Sequence, residues 1–126
     1  MNRAADWLHQ AEEDFLWAKD TYNSNRFSQA CFVCQQCGEK ALKALSLSRG
    51  FERVKSHFIL DIARALEINS EIEEAAKRLD LYYISTRYPD ALPSGALFEF
   101  FTKAQAEEAL DFVRKILQVV RDEMRS

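Results

Sequence analysis

The segment Phe27–Arg49 constrains the fold more than any other part of the chain. Placed on a helix, Ala30, Cys34, Cys37, Ala41 and Ala44 line one side, and Phe27, Cys31, Leu42 and Leu45 line another. A helix apolar over so wide an arc needs neighbours on two sides, so it belongs at the centre of whatever the chain builds. Gly50 follows at the C′ position, where a left-handed residue ends a helix.

The neighbours are also legible. Residues 3–23 place Ala4, Leu8, Ala11, Phe15, Ala18 and Tyr22 at alternating spacings of four and three, a helical stripe that Asn23-Ser24-Asn25 breaks. Ser56 is placed to cap a short helix, His57–Leu66. Ser70 with Glu73 forms a capping box that opens a fourth helix, running to Arg87. Thr102 with Gln105 repeats the signature before a fifth, whose core face carries Ala106, Ala109, Leu110, Val113, Ile116, Leu117, Val120 and Met124. No segment alternates with period two long enough for a strand. With only 3 Gly and 2 Pro in 126 residues, β architectures rich in tight turns are disfavoured. The expectation is one all-α domain over residues 1–126, an antiparallel bundle of four long helices and one short one.

Bulk properties narrow the function. A net charge of −3 argues against a general electrostatic grip on nucleic acid, though not against a local basic pocket. No apolar run is long enough for a membrane span and there is no secretory h-region, so a cytoplasmic chain with reduced thiols is expected. Cys31, Cys34 and Cys37 have the spacing of an iron–sulfur ligand run, but position 41 is Ala and the run lies within a helix. They read as small core hydrophobes. Two histidines and no H-E-x-x-H give zinc little support, and phosphate-loop, dinucleotide and nucleophile-elbow signatures are absent. No cofactor and no metal are expected.

Two polar groupings stand out. Gln35, Gln36, Glu39 and Lys40 lie on the central helix, where polar side chains need partners. They serve either as hydrogen-bonding links to neighbours or as the wall of a polar pocket. The second grouping is Tyr82-Tyr83-Ile84-Ser85-Thr86-Arg87-Tyr88-Pro89-Asp90. Pro89 ends the helix near Arg87–Tyr88, and Tyr83 and Arg87 share a face where a guanidinium can stack on a phenol. Such a guanidinium suits a carboxylate or a phosphate. After it comes a long loop containing Phe98, Phe100 and Phe101, expected to fold back over the bundle or to be covered by a second subunit.

The chain resembles the HEPN family, the higher eukaryotes and prokaryotes nucleotide-binding domain. The resemblance rests on Asp6-Trp7-Leu8 and Gln10 to Asp14, Ala30 to Leu45, Ser56-His57, Tyr83 to Asp90, and Phe101-Thr102 with Ala106 to Ala109, in that order. It implies an antiparallel bundle that homodimerises, and a minimal prokaryotic member working with a separate small nucleotidyltransferase. Many members are ribonucleases carrying an arginine, then four to six intervening residues, then a histidine. Here Arg87 is followed at those positions by Leu92, Pro93 and Ser94; Arg3 and His9 have the spacing but lie in the first helix.

The expected function is therefore non-catalytic binding of a nucleotide or RNA by a homodimer paired with a nucleotidyltransferase. Arg87 would anchor the phosphate, Tyr83 would offer a stacking surface and Lys40 a second charge, with His57, Gln36 and Tyr88 as secondary candidates. One alternative is a divergent endoribonuclease toxin using Arg87 and His57. The other is a structural partner subunit, with Arg87 paired to Asp80, Asp90 or Asp14.

Overall fold

The computed structural model describes residues 3–51, 55–68, 70–87 and 95–125, and at 85–87 and 97–98 the backbone alone. The described chain is helical throughout: α1 (Ala4–Asn23), α2 (Phe27–Ser48), α3 (Ile59–Ala65), α4 (Ser70–Arg87), a 3-10 turn (Leu97–Phe100) and α5 (Lys103–Arg125). No described helix is long and apolar enough to cross a membrane.

The α2 helix is the central element, in contact with α1, α3, α4 and α5. Its apolar side chains vanish from solvent on every side: Ala30, Cys31, Cys34, Cys37, Ala41, Leu42, Ala44 and Leu45 are all fully buried. The three cysteines act as packing groups. Cys37 donates its thiol to the Ala11 carbonyl at 3.0 Å, and burial pushes the Cys31 thiol up to about 12 and that of Cys34 well above its ordinary value. Gly38 permits the closest approach. A Cβ there would meet Ile59 Cδ1 at 2.8 Å, with Ile116 and Leu79 side chains next to it, so α3, α4 and α5 converge on a site without a side chain.

The helix ends follow the sequence with two exceptions. Gly50 closes α2 at φ +91°, as expected of a C′ glycine. At α5, the Thr102 N–H donates to Gln105 Oε1 (2.8 Å) and the Gln105 N–H donates to Thr102 Oγ1 (3.2 Å), the reciprocal capping box. At α4, however, Ser70 is already the first helical residue and Glu73 is engaged by Arg64 (3.3 Å). At α3, Ser56 is not the cap. The helix starts at Ile59, and Asp80 on α4 accepts the N–H groups of Ile59 (2.8 Å) and Leu60 (2.9 Å). A carboxylate from a distant helix takes the place of a local cap because Ser56 lies too far upstream, where its hydroxyl binds Phe58 N–H and Asp61 instead.

The aromatic segment before α5 folds back in part. Phe101 is half-buried with its ring centroid 5.8 Å from that of Tyr82, whereas Phe100 stays 40% exposed. The rest of that loop, residues 88–94, lies outside the described residues.

The packing at Gly38 and at Asp80 can each be tested by substitution. Gly38→Val overfills the junction of four helices and lowers stability by about 2–3 kcal/mol, read from denaturant midpoints. Asp80→Ala strands two N–H groups and costs about 2–3 kcal/mol, and Asp80→Asn, which keeps an acceptor, costs less. Desolvation raises the Asp80 carboxyl above its ordinary 3.8, outweighing the lowering by its hydrogen bonds. The folded state therefore holds this proton more tightly than the unfolded chain, and the carboxyl's contribution falls as pH rises from 3.8 through the folded value. The stability of wild type relative to Asp80→Asn should decline across that interval.

Candidate functional site

Three helices meet at residues 56–60, the segment leading into α3. From α2, Gln35 donates its amide to the His57 carbonyl at 3.1 Å. Also from α2, Glu39 Oε2 lies 3.0 Å from His57 Nδ1 and accepts Lys43 Nζ at 2.7 Å. From α4, Asp80 holds the two N–H groups that follow Phe58. The side chains making these bonds are out of solvent: Gln35 is 0% exposed, Glu39 7% and Asp80 8%. A helix that is apolar all round carries polar residues only where they have such work, so Gln35 and Glu39 act as links to the segment that follows α2.

The ring of His57 lies parallel to that of Tyr83, with an interplanar angle of 11° and centroids 6.1 Å apart. Phe58 tilts against the same tyrosine at 5.2 Å. Tyr83 is thus covered and 8% exposed, while the His57 side chain is 58% exposed. The stacking surface expected of Tyr83 is occupied from within by His57 and Phe58. With Nδ1 against a carboxylate, Nε2 is the ring atom left for other chemistry. Arg87 ends α4 one turn beyond Tyr83, about 6 Å along the axis. Its side chain, Tyr88 and Asp90 lie outside the described residues, as does any contact between the guanidinium and Tyr83.

Lys40 belongs elsewhere. It faces α1, where its ammonium binds Asp14 Oδ2 at 2.5 Å, and Gln10 donates to the other Asp14 oxygen at 2.9 Å. Asp14 is 5% exposed and the ammonium is its main compensation. Lys40 also borders a surface cavity of about 350 Å³ with Arg3, Asp6, Trp7 and Gln10. Gln36 donates to the Gln35 amide oxygen at 3.3 Å, steadying the residue that holds His57. Of the Arg87–Tyr83–Lys40 trio, the structure packs Tyr83 against His57 and pairs Lys40 with Asp14 on α1, while the Arg87 side chain lies outside the described residues. The two described carboxylates considered for Arg87 are already engaged, Asp14 by Lys40 and Gln10, and Asp80 by the start of α3.

The sequence signalled part of this. Gln35 and Glu39 stood out as polar residues on an enclosed helix, but no spacing rule links them to a residue two segments later. Phe58 and the anchoring role of Asp80 were missed, since both depend on how α3 docks against α4. Among the described residues no group of three His, Cys, Asp or Glu side chains is placed to hold a metal ion.

Comparison with known proteins fits this architecture. The HEPN domain model matches residues 4–123. The crystal structure of TT1696 from Thermus thermophilus superposes with a TM-score of 0.91 at 43% identity, covering 98% of this chain and 99% of that one. ST0689, an archaeal HEPN homologue, superposes with a TM-score of 0.87 at 34% identity, over 98% of this chain and 99% of its own. A Methanocaldococcus jannaschii protein, MJ1304, whose name describes it as a candidate toxin, is 28% identical over 92% of this chain and 84% of its own length. With a family model spanning almost its whole length and an all-helical fold shared with a HEPN homologue, the chain belongs to the HEPN domain family.

Proposed function

We propose that the chain is a non-catalytic HEPN protein that binds a phosphate-bearing ligand, a nucleotide or RNA, at the C-terminal end of α4. In this reading it acts as a homodimer beside a separate small nucleotidyltransferase. The observation that carries it is the packing of His57 and Phe58 on Tyr83, one turn before Arg87. This groups an exposed aromatic surface with an arginine that has no histidine after four to six intervening residues. A guanidinium there supplies a two-pronged charge clamp for phosphate. Without the histidine of the ribonuclease motif, the family's usual proton-transfer partner is absent from its place. Lys40 is not part of this site, since withdrawing it from Asp14 would leave a buried carboxylate without its countercharge.

A second reading has one observation in its favour. The contact of His57 Nδ1 with Glu39 is the arrangement by which a carboxylate orients an imidazole for general-base work. Together with the toxin name of the archaeal relative, it supports a ribonuclease toxin in which His57 stands in for the histidine missing after Arg87.

Calorimetric titration of ATP, GTP and a short RNA into wild type and Arg87→Ala tests the first reading. Loss of a charge-assisted phosphate contact is expected to weaken binding by about 10- to 100-fold. Equal and negligible binding by both proteins would reject the site. Cleavage of an RNA panel that disappears in both Arg87→Ala and His57→Ala would select the second reading over the first.

A further inference from the structure

Resting on the reading of the α4 end as a phosphate site, we propose that His57, flanked by Phe58, is the surface on which the nucleobase of the bound ligand stacks. The ligand class is a base joined to a 5′-phosphate, whether a free nucleotide or the end of an RNA strand. Tyr83 cannot present a ring face, because it is 8% exposed beneath its two neighbours. The His57 ring lies over it in parallel, with more than half of its own side chain open to solvent. Phe58, 37% exposed, extends the aromatic surface.

The way this ring is held argues for a ligand. Gln35 fixes its carbonyl, Glu39 fixes its Nδ1, and Asp80 fixes the backbone that follows. Each of these residues is more than nine-tenths buried, and Glu39 Oε1 has no hydrogen-bond partner among the described residues. Burying polar groups is costly, and burying one with an unpaired oxygen is more so. An apolar side chain in place of Glu39 would pack α2 without that cost, so its unpartnered oxygen is poorly explained by stability alone. What the arrangement achieves is an exposed ring with a set orientation, which loses little conformational freedom when a partner stacks on it. Every base offers a π-face to such a ring whatever its sequence, and single-strand binders use aromatic side chains in this way. Arg87 ends α4 one helical turn past Tyr83, the residue against which the His57 ring packs.

The test titrates three probes into the full chain: AMP, ribose 5-phosphate, which has the phosphate without the base, and a 5′-phosphorylated adenosine pentamer. Wild type is expected to bind AMP about tenfold or more tightly than ribose 5-phosphate. His57→Ala should abolish that difference by weakening AMP alone, and His57→Phe, which keeps a stacking ring, should restore most of it. Glu39→Gln should weaken AMP several-fold, and Arg87→Ala should weaken both small probes. Tighter binding of the pentamer than of AMP, sensitive to His57→Ala, identifies an RNA end as the ligand; the reverse order identifies a free nucleotide. Equal binding of AMP and ribose 5-phosphate by wild type, or a loss in His57→Phe as large as in His57→Ala, overturns the stacking surface while leaving the phosphate site standing. Failure of all three probes to bind wild type removes the phosphate site and the stacking surface with it.

Discussion

The carboxylate of Asp80 decides where the middle of this molecule lies. Between the end of α2 and the start of α4 the described residues form only a seven-residue helix, too short to be stable on its own. It is held by apolar contacts of Ile59, Ile62 and Ala63 and by the two N–H groups that Asp80 accepts. Because the carboxylate comes from α4, the same bonds set α3 against α4 and bring His57 and Phe58 onto Tyr83. Remove that anchor and the two aromatic residues lose their fixed place, since the backbone that carries them is no longer tied to α4. Gly38 complements the anchor by allowing Ile59 to come close to α2.

Charge is distributed unevenly between the two faces of α2. On the α1 side, Asp14 and Lys40 form a pair, with a further bond from Gln10. Glu39 is shared between His57, which leads into α3, and Lys43, whose ammonium lies 5.8 Å from the centre of the Trp7 ring on α1. The first pair joins a buried carboxylate to a partly exposed ammonium and links α2 to α1. The second ends on an imidazole that reaches solvent, so it is the one whose chemistry is available to a ligand. Adjacent residues on one helix, Glu39 and Lys40, thus bind different neighbours, a consequence of the roughly 100° turn between them.

Those two residues also show how far the sequence could be read. The helices themselves were legible because long apolar stripes, one glycine stop and the Thr102–Gln105 box are local signals. The central place of α2 followed from its apolar arc. Which polar residue meets which partner was not legible, because such pairs join residues far apart in sequence. Lys40 to Asp14, Gln35 and Glu39 to His57, and Asp80 to the α3 N-terminus all depend on how helices dock. Lys40 illustrates this, since nothing in its own segment shows that its ammonium turns to Asp14 on α1. Tyr83 was read as an open stacking surface beside Arg87, and its cover by His57 and Phe58 was not legible, since a solvent-facing tyrosine and one covered by a histidine give the same sequence pattern.

The position of His57 bears on the choice between binder and nuclease. In the ribonuclease motif, arginine and histidine are separated by four to six residues, so one local segment sets their geometry. Here the imidazole comes from a different segment and is set by Glu39 and Gln35 instead. Its ring face is packed on Tyr83 and its Nδ1 is taken, which leaves a plane and one nitrogen. A plane needs only a base laid against it, whereas general-base catalysis needs Nε2 within about 3 Å of a 2′-hydroxyl while the phosphate is held by Arg87. The structure meets the first requirement with the groups it describes. The second adds a demand on the arginine side chain and on where the ribose sits, so stacking is the simpler use of the same ring.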